Sequence, residues 1–192
     1  MSYNLGEVDV KMKLKVNKTT SLEDINRYLY PIEDYVREKK DENMYDDWNE
    51  FEHMTSWLKN IFKNIQKDDT NTLDIHYLED KGNVIGVVFS LSGNDNISNF
   101  FNQYNIQSSN EKAAQIAYFH IVKNYRGIGK KWLQEEVLKD LQNQGFKSVY
   151  LKSSHQKAFS LYEKLGSKVG HYTGLSDNKL YQRYGNIYKI SL

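Results

Sequence analysis

The chain has 192 residues, 39% of them apolar and 27% charged, which is enough to bury a substantial core in a globular fold. Its 26 basic and 25 acidic residues leave a net charge of +1, without the strong positive field of a nucleic-acid binder, and the absence of cysteine excludes disulfides, thiolate zinc ligands and thiol catalysis. The opening MSYNLGEVDV has neither the basic start nor the apolar stretch of a signal peptide, and no apolar run reaches the roughly 20 residues needed to span a bilayer, so a cytoplasmic location without membrane contact is expected.

No internal repeat or low-complexity linker divides the sequence, so residues 1–192 read as one domain. Val8, Val10, Met12, Leu14 and Val16 alternate with polar residues, the period of a half-buried strand. Ser21 with Asp24 three residues on resembles a capping box, opening a helix through Leu22, Ile25, Tyr28 and Leu29 that should end or kink near Pro31. After an acidic stretch, Trp48, Phe51, Met54, Trp57, Leu58, Ile61 and Phe62 recur at helical spacing. Residues 72–79 and 84–92 read as an antiparallel hairpin turning at Lys81-Gly82-Asn83. The polar stretch from Gly93 to Asn110 reads as a long loop with one helical turn around Ile97 to Tyr104.

The signal then sharpens. Ile116 to Val122 is a short apolar run suited to a strand, followed by the turn Arg126-Gly127-Ile128-Gly129. An amphipathic helix carries Trp132, Leu133, Val137, Leu138 and Leu141 on one face and stops at Gly145. Phe146 to Lys152 reads as a strand, Ala158 to Leu165 as a helix ended by Gly166, and Lys168 to Tyr172 and Asn186 to Ser191 as closing strands. The order strand–turn–helix–strand makes a parallel pair inside an otherwise antiparallel sheet.

A two-glycine turn between a strand and a helix is a ready anion site, because the first helical N–H groups lack partners and the helix dipole favours negative charge there. Arg126, Lys130 and Lys131 add positive charge to it. Taken alone, such a turn is common and often purely structural. Its context resembles the GNAT superfamily of N-acetyltransferases. The family's nucleotide loop reads Gln or Arg, two residues, Gly, one residue, Gly or Ala; here it is Asn124-Tyr125-Arg126-Gly127-Ile128-Gly129. The family's last helix carries Asn, two residues, Ala, three residues, Tyr, then Glu-Lys-Leu-Gly-Phe. This chain has His155, Ala158 and Tyr162, then Glu163-Lys164-Leu165-Gly166-Ser167. Asn124, His155 and Ser167 depart from the family's usual residues.

The resemblance implies an α/β fold with a largely antiparallel sheet of about six or seven strands, a parallel pair forming the coenzyme A cleft, and about four flanking helices. It implies acetyl-CoA as co-substrate and a primary amine of a small molecule or peptide as acceptor. Phe119, His120 and Ile121 would pair with pantetheine as an added strand would. The loop Asn124, Tyr125, Arg126, Gly127, Ile128, Gly129 and Lys130 would hold the pyrophosphate, with His155 and Ala158 near the pantetheine arm. Tyr162 would protonate the departing thiolate, since a phenol near 10 stays protonated where a thiol near 8.5 does not; a core tyrosine is the plainer alternative. His120 is the best candidate for the base, against the alternative of a packed histidine, with Glu111 and Glu79 behind it.

His53, His76 and His171 are scattered and no pair has metal-ligand spacing, so no metal is expected. Asp41, Glu42, Asp46, Asp47 and Glu50 are either a cation-attracting patch or a solvated helix face, and Tyr45 and Trp48 either line an acceptor pocket or belong to the core. Dimers are frequent in the resembled family, although the sequence itself carries no interface signal. Two alternatives to an N-acetyltransferase stand beside it: a non-catalytic acyl-CoA-binding regulatory or scaffold module, and, last, a nucleotide-binding protein of another fold, for which the lysine-bearing phosphate loop is missing.

Overall fold

The structure is a computed structural model that describes residues 9–16, 20–34, 50–107, 110–175 and 182–192. The acids Asp41, Glu42, Asp46 and Asp47, with Tyr45 and Trp48, lie outside the described residues, as do the side chains of Glu50 and His53. Among the described residues seven strands form one sheet in the order β1-β2-β3-β4-β5-β7-β6. They are β1 (Asp9–Val16), β2 (Thr72–Asp80), β3 (Asn83–Ser92), β4 (Ala113–Ile121), β5 (Ser148–Ser153), β6 (Ser167–Leu175) and β7 (Gln182–Ser191). Every neighbouring pair is antiparallel except β4–β5, which is parallel.

The local chemistry of the ends follows the sequence. Ser21 accepts from the Asp24 amide and Asp24 accepts from the Ser21 amide, capping α1 (Leu22–Ile25). A 3-10 turn, Asn26–Leu29, follows, and residues 30–34 are helical again. Pro31 thus sits in the first turn of a new helical stretch, where its missing N–H leaves no bond unmade, rather than at a helix end. The β2–β3 turn places Lys81 (φ 50°) and Gly82 (φ 80°) in the left-handed region, as a two-residue hairpin loop requires.

The stretch after Gly93 differs from the loop its polar composition suggests. It folds as an 11-residue helix, α3 (Asn94–Tyr104), preceded by Gly93 and closed by Asn105 in the left-handed conformation. Its formers are poor by propensity, but Ile97, Phe100, Phe101 and Tyr104 fall on one face and pack against Ala113, Tyr150, Ile187 and Tyr172. Tertiary burial therefore supplies what propensity lacks.

The sheet has two differently covered faces. On the first, Ala114, Ile116, Val149, Leu151, Tyr188 and Ile190 meet α4 (residues 129–143) and α5 (Gln156–Leu165). Helix α4 runs from Gly129–Trp132 through one π-helical turn, Leu133–Val137, into Leu138–Asn143. It ends in a Schellman motif: Phe146 N–H bonds to Leu141 C=O, Gly145 N–H to Gln142 C=O, and Gly145 takes φ 86°. On the second face, Leu73, Ile75, Val87, Phe89 and Leu91 pack under α1 and α2 (Glu50–Lys67), and α3 covers the β5–β7 end.

Candidate functional site

The β4–β5 ladder is short. Ala113 to Ile116 pair with Ser148 to Leu151, and there it stops, while β4 continues to Ile121 beside β3. A bulge at Ala117 separates the pairs Ser90–Ile116 and Phe89–Tyr118. The extra residue bends β4 away from β5 and reverses the side-chain alternation beyond it. Phe119 and Ile121 accordingly pack into the α4 side of the core, the Phe119 ring 6.1 Å from that of Trp132. Tyr118 packs on the opposite face, its ring 5.4 Å from Trp57 and stacked at 29° on the His120 imidazole. Beyond the bulge, β4 thus sends side chains to both faces of the sheet.

On the α4 side, the chain leaving β4 makes a 3-10 turn, Lys123–Tyr125, and enters α4 through Arg126 to Gly129. The turn is tied to the β2–β3 hairpin at two points: Val122 N–H donates to Ile85 C=O at 2.9 Å, and the Tyr125 hydroxyl donates to the Asp80 carboxylate. The two glycines serve different ends. Gly127 takes φ 110°, which a side chain rarely tolerates, and a Cβ there would meet nothing within 4 Å, so the turn presents open backbone to the outside. Gly129 is packed: a Cβ would lie 2.9 Å from Phe119 Cζ and 3.2 Å from Ile121 Cγ1, so its absence lets α4 close down on β4. Ile128 is a core residue, whereas Asn124, Arg126 and Lys130 are exposed around the turn. A turn of open backbone at a helix start, ringed by cations, suits a diphosphate.

Tyr162 lies in α5 on the same face, 8% exposed, with its ring centroid 5.5 Å from that of Tyr188. Its hydroxyl makes no hydrogen bond to a described residue. Burial pushes its pKa up to about 12, with Tyr188 acting in the same direction. Gly166, one turn further, is extended (φ −163°) and is needed for proximity: a Cβ would sit 2.2 Å from the Lys189 carbonyl oxygen. His155 occupies the position before α5 with its side chain exposed and not capping the helix, its backbone N–H donating to Ser153 Oγ at 3.2 Å, and Ala158, whose N–H donates to His155 C=O, is half-buried.

The other base candidates sit elsewhere. Glu111 precedes β4, at the end remote from the split, and pairs with Lys189 at 3.2 Å; Glu79 pairs with Arg27. His171 is exposed on β6. His76 is buried under α4, its Nε2 2.9 Å from Asp140 Oδ2, in a network with Lys13, Asp74 and Gln144. Among the described residues no His, Asp and Glu group could hold a metal ion, and no helix is long and apolar enough to cross a membrane.

Among the described residues, a seven-stranded mixed sheet split at its one parallel pair, beside a glycine turn that opens a helix, is an acetyltransferase-type fold. The sequence profile of the acetyltransferase (GNAT) family matches residues 31–167, and the chain belongs to that family. Solved structures agree on the fold. An N-acetyltransferase from Staphylococcus aureus Mu50 is 14% identical, with a TM-score of 0.55 over 94% of this chain and 99% of that one. The ribosomal-protein-alanine N-acetyltransferase of Brucella melitensis is 17% identical, with a TM-score of 0.52 over 93% and 99%. The ribosomal-protein-S18-alanine N-acetyltransferase of Escherichia coli is 13% identical, with a TM-score of 0.54 over 94% of each. No curated protein matches the sequence.

Proposed function

We propose that the chain is an N-acetyltransferase that moves the acetyl group of acetyl-CoA to a primary amine by direct attack. The observation that carries this reading is the split between β4 and β5 beyond Ile116 and Leu151, with the open Gly127 turn at its α4 side and His120 on the other. When bound, acetyl-CoA supplies an activated acyl group and a thiolate leaving group.

The chain's own residues divide the remaining work. The backbone of Phe119, His120 and Ile121 offers an edge to the pantetheine amides and an N–H to the carbonyl oxygen of the thioester. Gly127 and the first N–H groups of α4 hold the pyrophosphate, with Asn124, Arg126 and Lys130 around it and Tyr125 tethering the turn to Asp80. The site of attack is reached from the second face, where His120 takes the proton an attacking amine must lose. Tyr162 donates a hydrogen bond, and finally its proton, to the departing sulfur. Its pKa of about 12 keeps that proton in place while an amine near 10.4 becomes neutral.

The same burial favours a second reading, a non-catalytic acyl-CoA-binding module, because a phenol at about 12 is a weak acid toward a thiolate near 8.5. Thiol release from acetyl-CoA, followed with a panel of primary amines, separates them. Amine-dependent release supports the enzyme; binding of acetyl-CoA without release for any amine selects the module.

A further inference from the structure

Lys152 is the first residue of β5 beyond its ladder with β4. Tyr150 faces α3 and Leu151 faces α5, so alternation turns Lys152 to the second face, the one that carries Tyr118 and His120. It stands between two tyrosines from separate elements. Its Nζ lies 5.1 Å from the ring centroid of Tyr104 at the end of α3 and 5.3 Å from that of Tyr172 on β6. It also donates a hydrogen bond to the Tyr104 hydroxyl. The two rings are themselves 5.5 Å apart.

The arrangement is built into the backbone. Tyr172 is paired with Gly185 of β7, and a Cβ at Gly185 would lie 2.3–2.6 Å from the Tyr172 ring and hydroxyl. Only glycine lets that ring lie across β7 toward Lys152. Helix α3 supplies the other wall.

Among the described residues the arrangement has no counter-ion. Lys13 meets Asp74 and Asp140, and Lys189 meets Glu111, whereas no carboxylate among the described residues acts on Lys152. The charge that does act on it is Arg183, also positive, on the same face of β7. Burial among the rings draws the Lys152 pKa below its ordinary value; Tyr172 opposes this and Arg183 adds to it. The two rings hold the Lys152 ammonium in place while leaving it open to solvent, and with Arg183 beside it the pair presents positive charge to an incoming anion.

We infer that Lys152, clasped by Tyr104 and Tyr172, is the anion anchor of the acceptor site, and that the acceptor is an amine that also bears a carboxylate, an amino acid or a related zwitterion. This rests on the acetyl-transfer reading, since it assigns the split's second face to the acceptor. The carboxylate would take the Lys152 ammonium and the tyrosine hydroxyl donors, leaving the amine to enter the split beside His120. Lys152 is a specificity-determining residue in this account and takes no part in proton transfer.

The test uses the full chain and thiol release from acetyl-CoA. The acceptors are the free L-amino acids, their carboxamides, and spermidine as an amine without a carboxylate. The expected result is that at least one amino acid exceeds its amide tenfold or more in kcat/KM. Lys152→Met should raise KM for that amino acid about tenfold, leave kcat within about twofold and erase the preference over the amide, while Lys152→Arg retains it. Calorimetry should show acetyl-CoA binding unchanged in Lys152→Met, which also verifies its folding. Equal use of acids and amides, preference for spermidine, no turnover of any amino acid by a chain that binds acetyl-CoA, or an acid preference that survives Lys152→Met would each overturn the inference. Failure of the unaltered chain to bind acetyl-CoA would instead remove the acetyl-transfer reading beneath it.

Discussion

Replacing Tyr162 with phenylalanine removes one oxygen and leaves the ring packed beside Tyr188 and the helix start at His155 untouched. Because that hydroxyl makes no hydrogen bond to a described residue, its loss strands no partner, and the change in stability should stay within about 0.5 kcal/mol. At about 2–4 °C per kcal/mol for a chain of this size, the melting temperature should move by no more than about 2 °C. The chemical effect is larger. A proton donor at the departing atom contributes about 10²–10⁴ in rate, equivalent to about 3–5 kcal/mol of barrier. Proton transfer from a group at about 12 to a thiolate near 8.5 is uphill by about 5 kcal/mol, so most of the effect should come from the hydrogen bond formed as charge builds on sulfur. The assay is thiol release at saturating amine and acetyl-CoA, with calorimetric affinity for acetyl-CoA measured alongside. Turnover falling at least a hundredfold with affinity within about twofold supports the role. Unchanged turnover would make Tyr162 a core residue and refute the argument.

Two further perturbations test the frame around the site. Gly166→Ala places a Cβ against the Lys189 carbonyl and the Ile190 Cα, both backbone, and should destabilise the chain by about 3 kcal/mol, read as a drop of about 6–12 °C in melting temperature; a shift under 2 °C would mean that α5 and β7 do not pack this closely. His76 supplies a pH dependence, because burial pulls its pKa below 6.5 against the opposing pull of Asp140 and Asp74, with Lys13 reinforcing the burial. The folded state therefore prefers neutral His76. The stability it contributes is fully present above the unfolded value near 6.5 and is lost as pH falls through the lower folded value, at up to about 1.4 kcal/mol per pH unit. Urea midpoints should be lower at pH 5.5 than at 7.5, with the difference reduced in His76→Gln; equal midpoints in the unaltered chain would contradict it.

Much of this was legible in the sequence where local chemistry decides structure. Ser21 with Asp24, Lys81-Gly82 and Gly145 are positions whose side chain or φ dictates the local geometry, and each is used as its type predicts. The sequence marks the glycine turn between a strand and a helix but does not distinguish its two glycines. Gly127 is there for its φ and Gly129 for its distance from Phe119, and a motif records neither reason. Helix α3 was missed because its stability comes from Tyr150, Ile187 and Tyr172, which lie tens of residues downstream. The same distance hid the clasp on Lys152 and the Asp80 tether of Tyr125, since both join side chains that only the sheet order brings together. His120 and Tyr162 lie on opposite sides of the sheet because of the bulge at Ala117, which alternation alone does not reveal.

The most direct test of the central claim is calorimetric titration of the full chain and of Gly127→Val with acetyl-CoA. A side chain at φ 110° costs about 1–3 kcal/mol of backbone strain and covers the backbone meant for the pyrophosphate. Saturable one-site binding to the unaltered chain is expected, weakened at least tenfold by Gly127→Val in a protein that still melts cooperatively. No binding of acetyl-CoA to the unaltered chain, or equal affinity in both, would contradict it.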